Sequence, residues 1–226
     1  ETSKQKGDIM SKIFPSLISG DLLNLKKQID ELAPHCDGYH IDIMDDHFVP
    51  NLTWGPMFVN AISKSTQKPL FVHLMVNNPE VWPSRLQINS SSTLCFHIES
   101  AANPVQLIKQ IIEKNIVPAI AIRPKTPLEE IYPFLAIVDQ VLLMSVEPGS
   151  SGKTFLSSTI DRLNELVLYK KDNNLSFSIC MDGGIGKENI RMLKNLGVEQ
   201  FGIASEIFNH ADPVVALENL YRELKI

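Results

Sequence analysis

Residues 39–56 read YHIDIMDDHFVPNLTWGP, and the first six decide the fold. Side chains alternate along an extended chain, so Ile41 and Ile43 share one face while His40, Asp42 and Met44 share the other. In a closed parallel barrel the isoleucines meet the outer helices and the polar set faces the axis. The alternation returns in FVHLM, residues 71–75, where His73 and Met75 oppose Val72 and Leu74. It returns again in SICMDGG, residues 178–184, where Asp182 follows Ile179 and Met181. Strands two, three and seven thereby deliver two imidazoles and two carboxylates to one rim.

Outward from these segments the same rhythm fills the chain. Strands are predicted at Lys12–Pro15, Gly38–Met44, Leu70–Met75, Leu94–His97, Val117–Ile122, Gln140–Ser145, Ser176–Met181 and Gln200–Ala204. Helices are predicted between them at Asp21–Ala33, Pro56–Ser65, Glu80–Ile88, Val105–Lys114, Leu128–Ile137, Leu156–Lys171, Lys187–Leu196 and Pro213–Leu224. Leu22, Leu25, Ile29 and Leu32 make one apolar stripe, and Leu156, Ile160, Leu163 and Val167 another. Alternating βα units argue for a parallel sheet. The even spacing and the missing G-x-G-x-x-G after the first strand favour a single (β/α)8 TIM barrel over an open doubly wound sheet. We read residues 11–226 as that one catalytic domain, and polar residues 1–10 as a disordered tail or an expression remnant.

Composition excludes several functions. The 226 residues are 44% hydrophobic and 21% charged, with a formal net charge of −5 and no basic block, so a nucleic-acid partner is not expected. No apolar run approaches the roughly 18 residues of a membrane span, and no signal peptide precedes Lys12. Cys36, Cys95 and Cys180 are far apart and odd in number, which favours a reducing cytoplasm over a disulfide framework.

An unpartnered interior carboxylate is costly, so the rim groups should be paired or metal-bound. Imidazole with carboxylate suits Zn, Fe, Mn or Co better than Mg or Ca. Singly, His40 and His73 read as hydrogen-bonded core histidines and the aspartates as loop caps; four converging on one mouth favour a site. Segments Glu147–Lys153, Asp182–Gly184 and Ala204–Ser205 follow strands six, seven and eight, where backbone N–H groups can approach a phosphate closely.

The motifs FPSLISGDL (14–22), HIDIMDDHFVPNLTWGP (40–56), VHLMVNNPE (72–80), HIES (97–100), MSVEPGSSGKTF (144–155), MDGGI (181–185) and ASEIF (204–208) together resemble the ribulose-phosphate 3-epimerase family. The resemblance implies one divalent metal per chain on His40, Asp42, His73 and Asp182. Asp42 and Asp182 would also be the acid/base pair, interconverting D-ribulose 5-phosphate and D-xylulose 5-phosphate by two-base proton transfer at C3. That is a pentose phosphate pathway reaction through a metal-stabilised 2,3-enediolate. Ser16, Met44, His73, Met75 and Met144 would contact the sugar. Gly149, Ser150, Ser151, Gly152, Gly183, Gly184, Ala204 and Ser205 would hold the phosphate. A homo-oligomer, dimer or hexamer, is also implied.

Several positions depart from the family pattern. Asp46 stands in place of glycine, Ser150-Ser151 and Lys153 alter the phosphate loop, Ala204 replaces glycine, and Arg123 replaces asparagine. Lys153 reads as a solvated lysine rather than a phosphate contact, His97 and Glu99 as a hydrogen-bonded rim pair rather than groups orienting a ligand, and Phe48–Trp54 as a loop closing over substrate. The main alternative is a 3-epimerase of a six-carbon ketose phosphate such as D-allulose 6-phosphate. A decarboxylase of similar layout would need lysine where Met44 stands, and a non-catalytic sugar-phosphate-binding barrel is the remaining class.

Overall fold

The computed structural model describes residues 11–225, so the reading of residues 1–10 lies outside it. Eight strands are β1 (Lys12–Pro15), β2 (Tyr39–Met44), β3 (Leu70–Met75), β4 (Thr93–His97), β5 (Val117–Ile122), β6 (Gln140–Met144), β7 (Ser178–Asp182) and β8 (Gln200–Ile203). They form one parallel sheet in the order β1-β8-β7-β6-β5-β4-β3-β2. A parallel bridge between Ser16 and His40 joins the two edges, giving a (β/α)8 barrel.

The alternation in β2 and β3 explains why every residue of both strands is buried. Ile41, Ile43, Val72 and Leu74 pack outward into the main core beneath the helices. A second, interior cluster of Phe14, Phe71, Cys95, Ala119, Leu142 and Cys180, among others, fills the barrel below the polar rim. Burying a large apolar side chain contributes roughly 1.5–3 kcal/mol, so this packing sets the register on which the rim depends. In that register Asp42 lies beside His73, Met44 beside Met75, and Met144 beside Asp182.

The outer layer contains α1 (Leu25–Leu32), α2 (Pro56–Ser65), α3 (Pro104–Glu113), α4 (Thr159–Asp172), α5 (Ile190–Asn195), α6 (Ser205–Phe208) and α7 (Pro213–Lys225). Two predicted helices are replaced by short 3-10 turns. Glu80–Ile88 is helical only at its start, in the turn Pro79–Val81, and Leu128–Ile137 contains the turns Leu128–Glu130 and Tyr132–Phe134. Pro83 and Pro133 lie inside those segments, and proline removes an interior N–H and clashes with the preceding turn. The predicted stripes also shift. Leu22 precedes α1 and is exposed, because Asp21 accepts the Leu23 N–H and shapes a turn there. Leu156 precedes α4, whose buried face is Thr159, Leu163 and Leu166. No described helix is long and apolar enough to cross a membrane.

Candidate active site

The rim residues of β2, β3 and β7 converge as the alternation requires. His40 Nε2 lies 3.1 Å from Asp42 Oδ1 and 3.6 Å from Asp182 Oδ2. His73 Nδ1 lies 3.1 Å and 3.7 Å from the same two oxygens. One donor atom from each of the four residues falls within 4.8 Å of the others. Ser16, at the end of β1, donates its hydroxyl to Asp42 Oδ2 at 2.6 Å. Gly202 on β8 makes room for the ring of His40, since a Cβ there would sit 2.8 Å from Nδ1.

The donor set fits a divalent cation. Two nitrogens and two carboxylate oxygens crowd a buried point, and two carboxylates so close cannot both stay ionised without positive charge between them. In the bare chain the two acids are driven apart. Burial opposes charge on Asp42, but His40 beside it holds its carboxyl far below the usual range. Burial, reinforced by the charge of Asp42, pushes Asp182 up to about 7 against the pull of His40. Burial opposes protonation of His40, yet attraction to Asp42 and Asp182 raises its pKa, whereas burial lowers His73 to about 4.

Above this cluster opens a cleft at the mouth of the barrel. Asp42 and Asp182 reach its floor with Ser16. Met44, Met75 and Met144 line it as buried apolar surface. Gly149, Ser150, Ser151 and Gly152 form one wall, and Gly183, Gly184, Ala204 and Ser205 another. Among the residues read as substrate contacts, His73 alone does not reach the lining; it is fully buried below it. Ile18, Val146, Ile185 and Ile203 also line the cleft, a contribution that isolated apolar residues in loops do not announce.

The turn glycines have steric reasons. Gly183 has φ +113, and a Cβ there would lie 2.4 Å from Val146 Cγ2. Gly184 has φ +62, and its Cβ would meet the Phe155 backbone nitrogen at 2.4 Å. Of the departures, Asp46 adopts φ +57 in the left-handed region, whereas Ala204 has φ −106 and needs no glycine. Lys153 donates to the Glu147 carbonyl at 2.9 Å and is exposed, although it reaches the cleft edge.

Residues 45–54 are anchored at several points. Val49 packs on Met44 and Met75, and Asn51 donates to the Gly149 carbonyl at 3.0 Å. Phe48 packs on His97 with ring centroids 4.8 Å apart, and the Arg123 guanidinium lies 4.0 Å over the Phe48 ring. His97 is not a rim residue. It is fully buried, with Nε2 2.9 Å from His73 Nε2 and Nδ1 3.1 Å from Glu99 Oε2. The alternation of Cys95 and His97 against Leu94 and Phe96 was the available signal for its inward direction.

Comparison with known proteins agrees with this geometry. Residues 12–208 match the model of the Ribulose-phosphate 3 epimerase family. A ribulose-phosphate 3-epimerase from Helicobacter pylori strain J99 is 35% identical over 209 residues, covering 92% of this chain and 96% of that one. The cytoplasmic isoform of ribulose-phosphate 3-epimerase from Oryza sativa subsp. japonica is 36% identical, covering 95% of each chain. Among solved structures, the 3-keto-L-gulonate-6-phosphate decarboxylase of Vibrio cholerae superposes with a TM-score of 0.69 at 13% identity, covering 95% of this chain and 99% of that one. That likeness reports the barrel alone. The sequence relationship over most of the chain and the family match establish that this chain belongs to the ribulose-phosphate 3-epimerase family of enzymes.

Proposed function

We propose that this chain interconverts D-ribulose 5-phosphate and D-xylulose 5-phosphate, with Asp42 and Asp182 moving the proton at C3. The observation that supports this most is that carboxylates from β2 and β7 meet at the floor of one cleft. Inverting a carbon next to a ketone removes a proton from one face and returns one to the other, which calls for two acid/base groups. Strands β8 and β1 lie between β7 and β2, so the two acids reach the cleft from separate strands. When bound to His40, Asp42, His73 and Asp182, a divalent cation such as Zn, Fe, Mn or Co supplies positive charge against the charge developing on the ketose.

The remaining roles follow from chemistry at the cleft wall. Met44, Met75 and Met144 offer a polarizable floor with no proton to donate. Such a floor limits stray reprotonation of a carbanionic intermediate. The backbones of 149–152, 183–184 and 204–205 offer N–H donors to the phosphate, and Ser16 orients Asp42. The three cysteines are buried and free, in keeping with a cytoplasmic enzyme.

The test is solvent exchange. Protein and ribulose 5-phosphate in D2O should yield xylulose 5-phosphate labelled at C3, read by proton NMR. Ketose recovered without deuterium at C3 would refute the proposal. Comparing kcat/KM on ribulose 5-phosphate and allulose 6-phosphate then sets chain-length preference, with the five-carbon sugar expected to be faster.

A further inference from the structure

We propose that His97 and Glu99 are positioning residues, holding His73 in the tautomer whose bare Nδ1 faces Asp42 and Asp182. The inference rests on reading His40, Asp42, His73 and Asp182 as a cation site, and concerns what makes His73 fit to be a ligand.

The proton positions follow from the outer end inward. Glu99 Oε1 accepts the backbone N–H of Arg123 at 2.8 Å, and Oε2 lies 3.1 Å from His97 Nδ1. An ionised carboxylate only accepts, so His97 carries its proton on Nδ1. A neutral imidazole has one N–H, which leaves His97 Nε2 as an acceptor. His73 Nε2, 2.9 Å away, must then be the donor. With its proton on Nε2, neutral His73 presents a lone pair from Nδ1 toward the oxygens at 3.1 and 3.7 Å. A lone pair directed at two carboxylates is unfavourable unless a cation stands among them. Reversing either imidazole link would put the proton on Nδ1, in the cation's place.

The surroundings keep this chain of bonds in one state. His73 and His97 are both fully buried, so solvent supplies no competing donor. Arg123 closes the outer end twice. Its backbone N–H holds Glu99, and its guanidinium donates to the Phe48 carbonyl at 2.6 Å while covering the Phe48 ring that packs on His97. Outer partners that orient metal-binding histidines typically change metal affinity about 10–100-fold when removed.

The experiment measures Zn2+ affinity by chelator competition for the wild type, His97→Leu and His97→Gln. Leucine supplies no acceptor for His73 Nε2–H, and glutamine can restore one with its amide oxygen. Affinity should fall about 10–100-fold for His97→Leu and recover for His97→Gln. Long-range proton–nitrogen NMR of the zinc-loaded wild type should show His73 protonated at Nε2 and metal-bound at Nδ1, an assignment eased by only six histidines. This second measurement holds even where a variant fails to fold. A wild type that binds no zinc overturns the cation site itself. A zinc-binding wild type with His73 bound through Nε2, or with undiminished affinity in folded His97→Leu, overturns the positioning role alone.

Discussion

Ser16 holds Asp42 in place: its hydroxyl donates to Oδ2 at 2.6 Å, which leaves Oδ1 turned toward the nitrogens of His40 and His73. The contact crosses the seam where β1 meets β2, so barrel closure and carboxylate orientation depend on one another. Ser16→Ala removes a hydrogen bond to a charged group, an interaction of about 1.5–3 kcal/mol. We expect kcat to drop roughly tenfold or more while metal content per chain stays near that of the wild type. Unchanged kcat would show that His40 and His73 orient Asp42 without help.

The two functions assigned to Asp182 separate in Asp182→Asn. The amide keeps an oxygen for the cation but cannot exchange a proton with carbon. Turnover should fall by about 10²–10⁴, with a smaller loss of bound metal. His73→Ala should behave in the opposite sense, losing metal first, because His73 lies below the cleft lining. Elemental analysis beside steady-state rates distinguishes them, and near-normal turnover in Asp182→Asn would end the two-base assignment.

The turn after β7 offers a test of stability. Gly183→Ala places a Cβ 2.4 Å from Val146 Cγ2 on a backbone with φ +113. Backbone strain of this kind costs roughly 1–3 kcal/mol, and the clash with a β-branched side chain adds to it. The thermal midpoint should fall by several degrees. Gly55→Ala is the control, since nothing lies within 4 Å of its Cβ and φ is −107. Equal midpoints for the two variants would mean that Val146 yields freely.

How much of this was visible in the residue order depends on the distance over which each feature is determined. Alternation along β2, β3 and β7 is local, so the inward direction of His40, Asp42 and His73 could be read directly. Their common centre followed once eight parallel strands closed. Apolar spacing around Pro83 and Pro133 suggested helices, but the proline backbone overrode it in both segments. The role of His97 was obscured for another reason. Its bond to Glu99 is local, but its other partner, His73, lies 24 residues away on the neighbouring strand, and no short-range pattern records a pairing between strands. Arg123 looked like a loss of the family asparagine, yet its guanidinium joins Phe48 to the wall behind His97.

Asp45 gives the final prediction, which concerns pH. Its Oδ1 accepts the backbone N–H groups of His47 and Phe48 at 2.9 and 2.8 Å, and Oδ2 accepts that of Asn77 at 2.8 Å. One carboxylate therefore ties the segment after β2 to the segment after β3. Burial opposes its charge, but the N–H groups of Asn77, Phe48 and His47 outweigh burial and lower its pKa. A carboxylate with a depressed folded pKa contributes stability fully above its unfolded value, about 3.9, and loses that contribution as pH falls through the folded one. Asp45→Asn keeps one acceptor oxygen and carries no titrating charge. With chelator present throughout, the wild type should exceed the variant in denaturant midpoint at pH 7 and pH 5, and the gap should narrow by pH 3. A gap constant over that span would show that the carboxylate's charge adds nothing to holding these two segments together.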